Sequence, residues 1–227
     1  AHIARIQDYI LAGDCYQVNY AQRFEAALEG DAWSAYRYVR TLLAGGFSGF
    51  LRTAEDHAIL SLSPERFLRI HQGTVTSQPI KGTAPRHVDP EQDAALAQAL
   101  LNSEKDRAEN VMITDLLRND LGQFCQTGSV NVTELCGLHS YNNVHHLVST
   151  VEGKLAPGVS AGQMLLATSP GGSITGAPKK RAVEIIAELE PAPRGAYCGS
   201  LFILGGDNWL QSSIAIRTLE ITGNIVH

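Results

Sequence analysis

Hydrophobic residues recur at helical spacing in several stretches of the chain. Ile3, Ile6 and Ile10 share one stripe of the first stretch, and Gly13 is expected to end this helix. The same spacing and its capping residues predict further helices over 33–43, from the cap Asp89-Pro90 onward, over 103–122, over 161–167 and from residue 178 to about 188.

Other stretches alternate between apolar and polar residues, which is the period of a β-strand. Three or four strands are predicted between residues 47 and 77, where His71-Gln72-Gly73-Thr74 is typical of a hairpin turn. Further strands are predicted over 14–24, 130–132, 144–152, 197–204 and 209–221. Strands grouped in hairpins, with helices between the groups, indicate an α+β antiparallel fold rather than regular βαβ winding.

The composition is that of a globular chain. Of the 227 residues, 44% are hydrophobic and 18% are charged, which excludes a disordered chain and predicts one domain with a sizeable core. The net charge is −5 and no Lys/Arg-rich run occurs, so no nucleic-acid partner is expected. No apolar run approaches the ~20 residues that span a bilayer, so no membrane association is expected. The four cysteines form no Cys-x-x-Cys pair, which favours reduced thiols and a cytoplasmic location.

Two carboxylates lie three residues apart on the predicted helix 103–122. Asp106 and Glu109 therefore project from one face, with Lys105 and Arg107 as neighbours. Such a pair binds a hard cation such as Mg²⁺ through oxygen, with water or substrate at the remaining positions. A solvated helix face has the same composition, so the spacing alone leaves both interpretations open.

A Gly/Ser/Thr-rich loop over 169–177 runs into the predicted helix, with Pro178 in its first turn. The free backbone N–H groups at such a helix start bind phosphate or carboxylate. Gly176 is followed by Ala177 rather than by Lys, so the loop is not a Walker A motif. A tight turn that only caps the helix is the alternative.

Polar side chains on two predicted strands are candidates for lining a cavity. Arg217 shares a strand face with Gln211, Ser213 and Ala215, where its guanidinium would bind a carboxylate. An edge-strand arginine in solvent is the alternative. His146 lies on the opposite face of its strand from the histidine that precedes it.

Lys81 and Glu65 are further candidates for chemistry. Lys81 lies at a predicted strand end between Pro79 and Gly82, and a desolvated lysine amine is a nucleophile. An exposed loop lysine is the alternative. The position of Glu65 beside Arg66 is equally consistent with a surface charge.

Seven motifs follow one another along the chain: SLSPERF, PIKGTAPR, SEKDRAEN, DLLRNDLG, HHLVSTVEG, SPGGSITGAPKKRA and IAIRTL. In this order, over nearly the whole length, they resemble the chorismate-binding family, which contains anthranilate, aminodeoxychorismate, isochorismate and salicylate synthases. The resemblance implies an α+β sandwich of two antiparallel sheets with flanking helices. This agrees with the fold class that the pattern of helices and strands predicts.

The motifs carry the family's site residues onto this sequence. By resemblance, Glu109 is the Mg²⁺-binding glutamate, with Asp106 nearby, and Glu65 is the acid that protonates the departing C4 hydroxyl. Arg217 and Tyr197 resemble the pair that holds the enolpyruvyl carboxylate. The full set that the resemblance assigns to chorismate binding is Arg217, Tyr197, Thr83, His146, Gly172 and Gln17.

Two positions distinguish the branches of this family. Isochorismate and salicylate synthases have a water-activating Lys where this chain has Gln17, and anthranilate synthases usually have a small residue where it has Lys81. Aminodeoxychorismate synthases have Lys at that second position. The resemblance therefore implies a Mg²⁺-dependent transferase that aminates chorismate through a covalent Lys81 adduct. A glutaminase subunit would supply the ammonia, and the product would enter folate biosynthesis.

The resemblance also implies that residues 1–227 are an incomplete chorismate-binding catalytic domain. An amino-terminal subdomain is expected before residue 1. A Gly-rich segment and a helix with a second Mg²⁺ glutamate are expected after His227. In some family members the missing subdomain holds a tryptophan beside a segment resembling Phe47-Ser48-Gly49. Two alternatives to amination remain, namely an anthranilate synthase component and a truncated, non-catalytic paralogue that binds a glutaminase.

Overall fold

The computed structural model describes residues 1–43 and 45–227. Its α-helices span His2–Leu11 (α1), Ala32–Leu42 (α2), Pro90–Leu101 (α3), Glu104–Gly122 (α4), Ala161–Thr168 (α5) and Lys179–Leu189 (α6). Its β-strands span Gln17–Val18 (β1), Ala26–Ala27 (β2), Phe47–Ala54 (β3), His57–Ser63 (β4), Arg66–His71 (β5), Thr74–Gln78 (β6), Ile80–Pro85 (β7), Asn131–Ser140 (β8), Val144–Lys154 (β9), Gly176–Ala177 (β10), Ser200–Leu204 (β11), Leu210–Ile214 (β12), Thr218–Thr222 (β13) and Ile225–Val226 (β14).

The internal contacts divide the chain into two units. The first unit consists of Ala1–Phe67, Ser169–Ile203 and Gln211–His227, and the second consists of Leu68–Thr168 and Leu204–Leu210. Each unit combines helices with antiparallel strands, so the predicted α+β antiparallel fold class is confirmed. In the described part of the chain, no helix is long and apolar enough to cross a membrane.

A five-stranded antiparallel sheet organises the first unit. Its strand order is β2-β14-β13-β4-β3, and helix α2 packs on β3 and β4. Apolar side chains from the helix and the sheet exclude water between these layers, which is the main source of stability for such a pair. The buried cluster between them consists of Ala32, Tyr36, Ala58, Leu60, Leu62 and Ile221. A second cluster, Ile6, Cys15 and Ile185, joins α1 to α6.

Strand β9 is the centre of the second unit. It pairs antiparallel with β6, with β7 and with β8, and helices α3 and α4 pack on these strands. Leu147 of β9 is buried with Ala84 of β7 and Leu100 of α3. The side chains of β9 are buried along most of the strand, as expected for a strand with a partner on each edge and helices on a face.

Local sequence signals place several boundaries as predicted. The Asp89 side chain accepts a hydrogen bond from the N–H of Glu91 (2.9 Å) at the start of α3, and Ser103 caps α4 in the same manner. Between β5 and β6, Gln72 and Gly73 both have positive φ, 50° and 72°. This is the backbone of a type I′ hairpin turn, so the predicted turn is confirmed.

The segment around β1 differs from the prediction. In place of a strand over 14–24, only Gln17–Val18 pairs, because its partner Gly176–Ala177 is two residues long. Helix α6 begins at Lys179, and Pro178 is its N-cap in an extended conformation rather than part of its first turn. The predicted loop therefore enters the helix through a short strand.

The last predicted strands are also interrupted. The stretch 209–221 forms two strands, β12 and β13, because the chain turns between them, where the N–H of Ile216 donates to the carbonyl of Ile214 (2.8 Å). The stretch predicted as a strand from residue 197 becomes one only at Ser200, where β11 begins. Apolar and polar residues alternate through both irregular segments as they do in a strand. The two-residue period alone therefore did not predict the interruptions.

Replacing Ile113 of α4 by Ala should lower the free energy of unfolding by about 2–5 kcal/mol, because this side chain is 0% exposed and its loss leaves a cavity. Val111→Ala on the same helix is the matched control. Val111 is 45% exposed, so its replacement should change stability by no more than about 0.5 kcal/mol. Urea unfolding measures both values, and equal losses would contradict this orientation of α4.

Candidate active site

Lys81 lies in a β-bulge of strand β7. The ladder with β9 shifts register between Ile80 and Thr83, so Lys81 and Gly82 together lie opposite the single residue Leu147. A bulge interrupts the alternation of a strand and re-aims the side chain at the bulged position. Lys81 is half-buried. It therefore belongs to a strand and not to an exposed loop.

Gly82 brings this bulge against helices α3 and α4. Its φ of +87° lies in the left-handed region, which favours glycine. A Cβ atom at this position would lie 2.9 Å from Cβ of Asp106 and 3.2 Å from Cδ1 of Leu100. Conformation and space thus both require glycine, and the Lys81 bulge is seated on the first turn of α4.

Asp106 is hydrogen-bonded to Ser103, the N-cap residue of α4. The hydroxyl of Ser103 donates to Asp106 Oδ2 (2.5 Å), and the N–H of Asp106 donates back to Ser103 Oγ (3.3 Å). Ser-x-x-Asp is the sequence signature of a capping box, so this role was visible in the sequence. The two carboxylates predicted to share a helix face therefore have different roles. Asp106 engages the cap, and Glu109 remains as the ligand candidate.

Glu109 offers one carboxylate to a cation. Its side chain is 31% exposed, and Oε1 lies 3.5 Å from Nζ of Lys105, which is 82% exposed. An ion pair this exposed contributes little, so a divalent cation can replace the lysine. Outside residue 44, no group of three or more His, Cys, Asp or Glu residues is placed to hold a metal. Mg²⁺ is commonly held by one or two carboxylates with water and substrate, so the donor set fits Mg²⁺.

Asn110 is a buried polar residue that sequence reasoning missed. Its Nδ2 donates to the carbonyl of Leu147 (3.1 Å), and its Oδ1 accepts from the hydroxyl of Ser149. The Ser149 Oγ also accepts from the N–H of Cys136 (2.9 Å), which lies at a bulge in β8. An unpaired buried amide costs about 1–3 kcal/mol, so these bonds fix α4, and with it Glu109, against β9.

Thr83 and His146 meet across the β7–β9 ladder, as a directly opposed pair. A hydrogen bond of 2.8 Å joins Thr83 Oγ1 to His146 Nδ1, and His146 is buried against the edge of the Tyr141 ring. His145 has different hydrogen-bond partners, which are Ser140 and the carboxylate of Asp93. Arg86 holds the pKa of that carboxyl well below its usual range. His146, and not His145, is therefore grouped with the Lys81 bulge.

In the first unit, the pairing of β1 with β10 joins two candidate regions distant in sequence. Gln17 lies opposite Ala177, and the N–H of Asn19 donates to the carbonyl of Thr175 (2.8 Å). The Oε1 of Gln17 and the Nδ2 of Asn19 are buried without a hydrogen-bond partner in the described residues. Because buried polar atoms are rarely left unpaired, both are candidates for contact with a polar ligand.

The Gly-rich loop is more enclosed than an open anion site. Every residue over 171–177 is buried, and Gly172 begins a single 3₁₀ turn. The N–H groups of Ile174 and Thr175 donate to carbonyls within the loop, at 3.4 and 3.3 Å. Some of the loop's N–H groups are therefore already used within the loop and do not face a ligand. The loop is connected to a candidate residue by the pairing of Ala177 with Gln17.

Arg217 is not on a strand face. It lies in the bend between β12 and β13, is exposed, and has a φ of +49°. Its carbonyl accepts from the N–H of Leu62 (3.0 Å), which fixes the backbone of the bend and leaves the side chain outside the strand. The predicted face shared with Gln211, Ser213 and Ala215 is therefore wrong, although Ser213 and Ala215 are buried.

Tyr197 and Glu65 complete the candidates in the first unit. Tyr197 lies in a turn before β11, and partial burial raises the pKa of its hydroxyl. Glu65 connects β4 to β5 and is buried. Its N–H donates to Ser63 Oγ (3.1 Å), and its carbonyl accepts from the N–H of Ile214 (3.2 Å). The surface alternative for Glu65 is therefore wrong.

Two cavities open in the first unit. One has a volume of about 490 Å³ and includes Arg23, Glu190 and Glu220 in its lining. The other has a volume of about 390 Å³ and includes Asn19 and Ser173. Ala21, Arg194 and Tyr197 line both cavities. Of the predicted residues, Tyr197 is thus the one on both walls, and Arg194 is a wall residue that sequence reasoning missed.

Most of the predicted residues fall into one group in each unit. Lys81, Thr83, His146 and Glu109 are gathered by β7, β9 and α4 in the second unit. In the first unit, β1 and β10 gather Gln17 and the Gly-rich loop, and Tyr197 lies on the cavity walls beside them. Each group contains polar side chains of the kind that fix the orientation of a small ligand.

Comparison with known proteins identifies relatives of the whole chain. The family model described as chorismate binding enzyme matches residues 1–227. Aminodeoxychorismate synthase component 1 of Klebsiella aerogenes is 54% identical over 215 residues, which are 95% of this chain and 48% of that protein. Anthranilate synthase component 1 of Pseudomonas aeruginosa is 43% identical over 225 residues, which are 99% of this chain and 46% of that protein.

A solved structure matches over the same extent. Anthranilate synthase component I from Streptococcus pneumoniae TIGR4 superposes with a TM-score of 0.90 at 36% identity, covering 99% of this chain and 49% of that chain. The chain spans about half the length of these three relatives.

Replacing Gly82 by Ala should lower the free energy of unfolding by about 2–4 kcal/mol, because left-handed strain and crowding against Asp106 add together. Gly73→Ala is the matched control, since Gly73 also has positive φ (72°) but no atom lies within 4 Å of its added Cβ. Its cost should be strain alone, about 1–2 kcal/mol. Thermal or urea unfolding that finds no extra loss for Gly82→Ala would contradict the contact with α4.

Proposed function

This chain belongs to the chorismate binding enzyme family, and we propose that it contributes to the amination of chorismate to 4-amino-4-deoxychorismate. The observation that carries the proposal is the placement of Lys81. Lys81 is half-buried in a bulge that requires Gly82, and this bulge packs on α4, the helix that carries Glu109. Thr83 and His146 lie beside it. The bulge therefore holds Lys81 in a defined position, which a nucleophile requires. Similarity to aminodeoxychorismate synthase component 1 supports the same choice.

The first step would form a bond between Lys81 and the substrate ring. The neutral amine attacks C2, the two ring double bonds shift, and the C4–O bond breaks. The departing hydroxyl needs a proton to leave as water, and we assign its delivery to Glu65, which is buried. A covalent step divides one difficult displacement into two easier ones.

The second step would release the lysine. Ammonia forms a bond to C4, the double bonds return to their original positions, and the bond between C2 and the Lys81 nitrogen breaks. The lysine nitrogen, which became positively charged on attack, leaves as the neutral amine. One proton lost from the ammonia nitrogen returns to the carboxylate of Glu65, so both groups are regenerated. We assign the supply of ammonia to a glutaminase partner, as free ammonia is scarce near neutral pH, where ammonium dominates.

We assign Mg²⁺ binding to Glu109, which Asn110 holds in place. When bound, the ion would neutralise a substrate carboxylate and act as a template for the ring. In the first unit, Gln17, Tyr197 and the loop at Gly172 are the proposed contacts for the substrate's remaining polar groups. Arg217, whose side chain is exposed, is the proposed contact for a substrate carboxylate.

Anthranilate formation is the second candidate function, because anthranilate synthase components also match the whole chain. The two reactions differ in product: aminodeoxychorismate retains the enolpyruvyl group, and anthranilate has lost it. Incubation of the complete protein with chorismate, Mg²⁺ and ammonium, followed by mass analysis, separates them. We expect the aminated product that retains enolpyruvate. Anthranilate or isochorismate would refute the proposal.

Lys81→Ala should reduce formation of the aminated product by about 100-fold or more, equivalent to at least about 2.7 kcal/mol in activation free energy. The reason is that the covalent route is then closed. Lys154→Ala is the matched control, because Lys154 is an exposed lysine of the same unit. Full-rate amination by Lys81→Ala would remove the covalent role.

Glu109→Gln should raise the Mg²⁺ concentration for half-maximal activity at least about tenfold. Replacing a residue that only supports a metal ligand already lowers metal affinity by about 10- to 100-fold, so replacing the ligand itself should cost at least the lower value. The amide is a weaker ligand than the carboxylate it replaces. Glu104→Gln, in the exposed first turn of the same helix, should leave the Mg²⁺ dependence unchanged. Titration of activity with Mg²⁺ checks both variants, and parallel curves for Glu109→Gln and the unaltered protein would contradict the assignment.

A further inference from the structure

We infer that the ion pair between Arg194 and Glu190 is a positioning device that holds the substrate-binding segments of the first unit in place. Its role is defined by the proposed function, since it acts on the residues assigned there to chorismate binding. Both residues follow helix α6, in the segment that leads to Tyr197.

The pair is bidentate and largely buried. Arg194 Nε donates to Glu190 Oε2 (2.9 Å), and Nη2 donates to Oε1 (2.6 Å). The side chains are 15% and 6% exposed, respectively. The hydrogen bonds to Glu190 raise the pKa of Arg194 above its ordinary value. A planar guanidinium held by a carboxylate in this way has a fixed orientation. Its remaining N–H groups therefore point in fixed directions.

Those N–H groups bind two other segments of the unit. Nη2 also donates to the carbonyl of Asn19 (2.6 Å), and Nη1 donates to the carbonyl of Ile174 (2.9 Å). From the other side of the pair, Glu190 Oε1 accepts from the N–H of Ala21 (2.8 Å). One ion pair therefore joins the chain after β1, the Gly-rich loop and the segment after α6.

Each segment bound by the pair carries a proposed substrate contact. Asn19 is two residues after Gln17, Ile174 is two residues after Gly172, and Tyr197 is three residues after Arg194 itself. Strands β1 and β10 are only two residues long, so their ladder alone gives little rigidity to this region. The ion pair supplies the missing long-range bonds.

Arg194 does not have enough free donors to grip a carboxylate ligand, although it lines both cavities. A guanidinium has five N–H donors, and four hydrogen bonds from Arg194 go to Glu190 (two), Asn19 and Ile174. At most one N–H remains for a ligand, which excludes a bidentate grip. The residue therefore acts through its neighbours and is a positioning residue.

The test is calorimetric measurement of the chorismate Kd, in the presence of Mg²⁺, on the complete protein carrying Lys81→Ala. This background cannot form the covalent adduct, so the heat reports binding alone. Arg194→Met should weaken binding about 10- to 100-fold, the effect expected from losing charged hydrogen bonds. Glu190→Gln should weaken binding in the same direction, because the guanidinium loses its orientation. Arg194→Lys, which keeps the charge and is expected to fold, should show an intermediate loss.

Two control variants separate positioning from general destabilisation. Ile185→Ala removes buried volume from the same unit, and its thermal midpoint provides a stability-matched reference. Arg181→Met breaks a half-exposed ion pair with Asp14, which should change the Kd less than about twofold. Neither control should weaken chorismate binding as Arg194→Met does.

Three results would overturn the inference. An unchanged Kd in Arg194→Met, or in Arg194→Lys if the first variant does not fold, would remove the role. Equal weakening in Ile185→Ala would assign the effect to stability alone. Normal binding by Glu190→Gln would make Arg194 a direct ligand. Because the readout is binding, it is independent of which product forms, so a failure of the amination proposal is detected separately.

Discussion

The pairing of strand β9 with β6, β7 and β8 is the constraint on which the candidate chemistry of the second unit depends. The Lys81 bulge exists because β7 has one residue more than β9 at that point. His146 lies on β9 itself, and Asn110 binds the carbonyl of Leu147. A shift of one residue would turn His146 to the opposite face and break the Asn110 contact. Buried polar bonds therefore fix the register together with the apolar side chains.

The first unit holds its candidate residues in a different way. Its relevant strands, β1 and β10, are short, and the segments they join are separated by more than 150 residues of sequence. A short ladder offsets little of the entropy of ordering such segments. The Glu190–Arg194 pair adds bonds to both of them, and both partners are satisfied despite their burial. These hydrogen bonds offset the cost of burying the two charges, because an unpaired buried charge would be destabilising.

What the sequence predicted was mainly local. The caps at Asp89 and Ser103 and the turn at Gln72-Gly73 were predictable because each depends on residues within one turn of chain. Lys81 was singled out by its Pro and Gly neighbours, but the bulge depends on β9 and was not predictable. The bend at Arg217 was missed because polar alternation continues through it. Asn110 and Arg194 were missed because their partners are distant in sequence. Family resemblance, rather than spacing, supplied the roles of Glu65 and Glu109.

In the proposed mechanism, Lys81 forms a bond to the substrate ring. The most direct measurement is mass spectrometry of the complete protein after mixing with chorismate and Mg²⁺ in the absence of ammonium and glutamine, with quenching at short times. We expect an increase in mass equal to chorismate less one water, located by peptide mapping at Lys81 and lost on later addition of ammonium. An adduct on another residue, or product formed on ammonium addition without any adduct at Lys81, would contradict this mechanism.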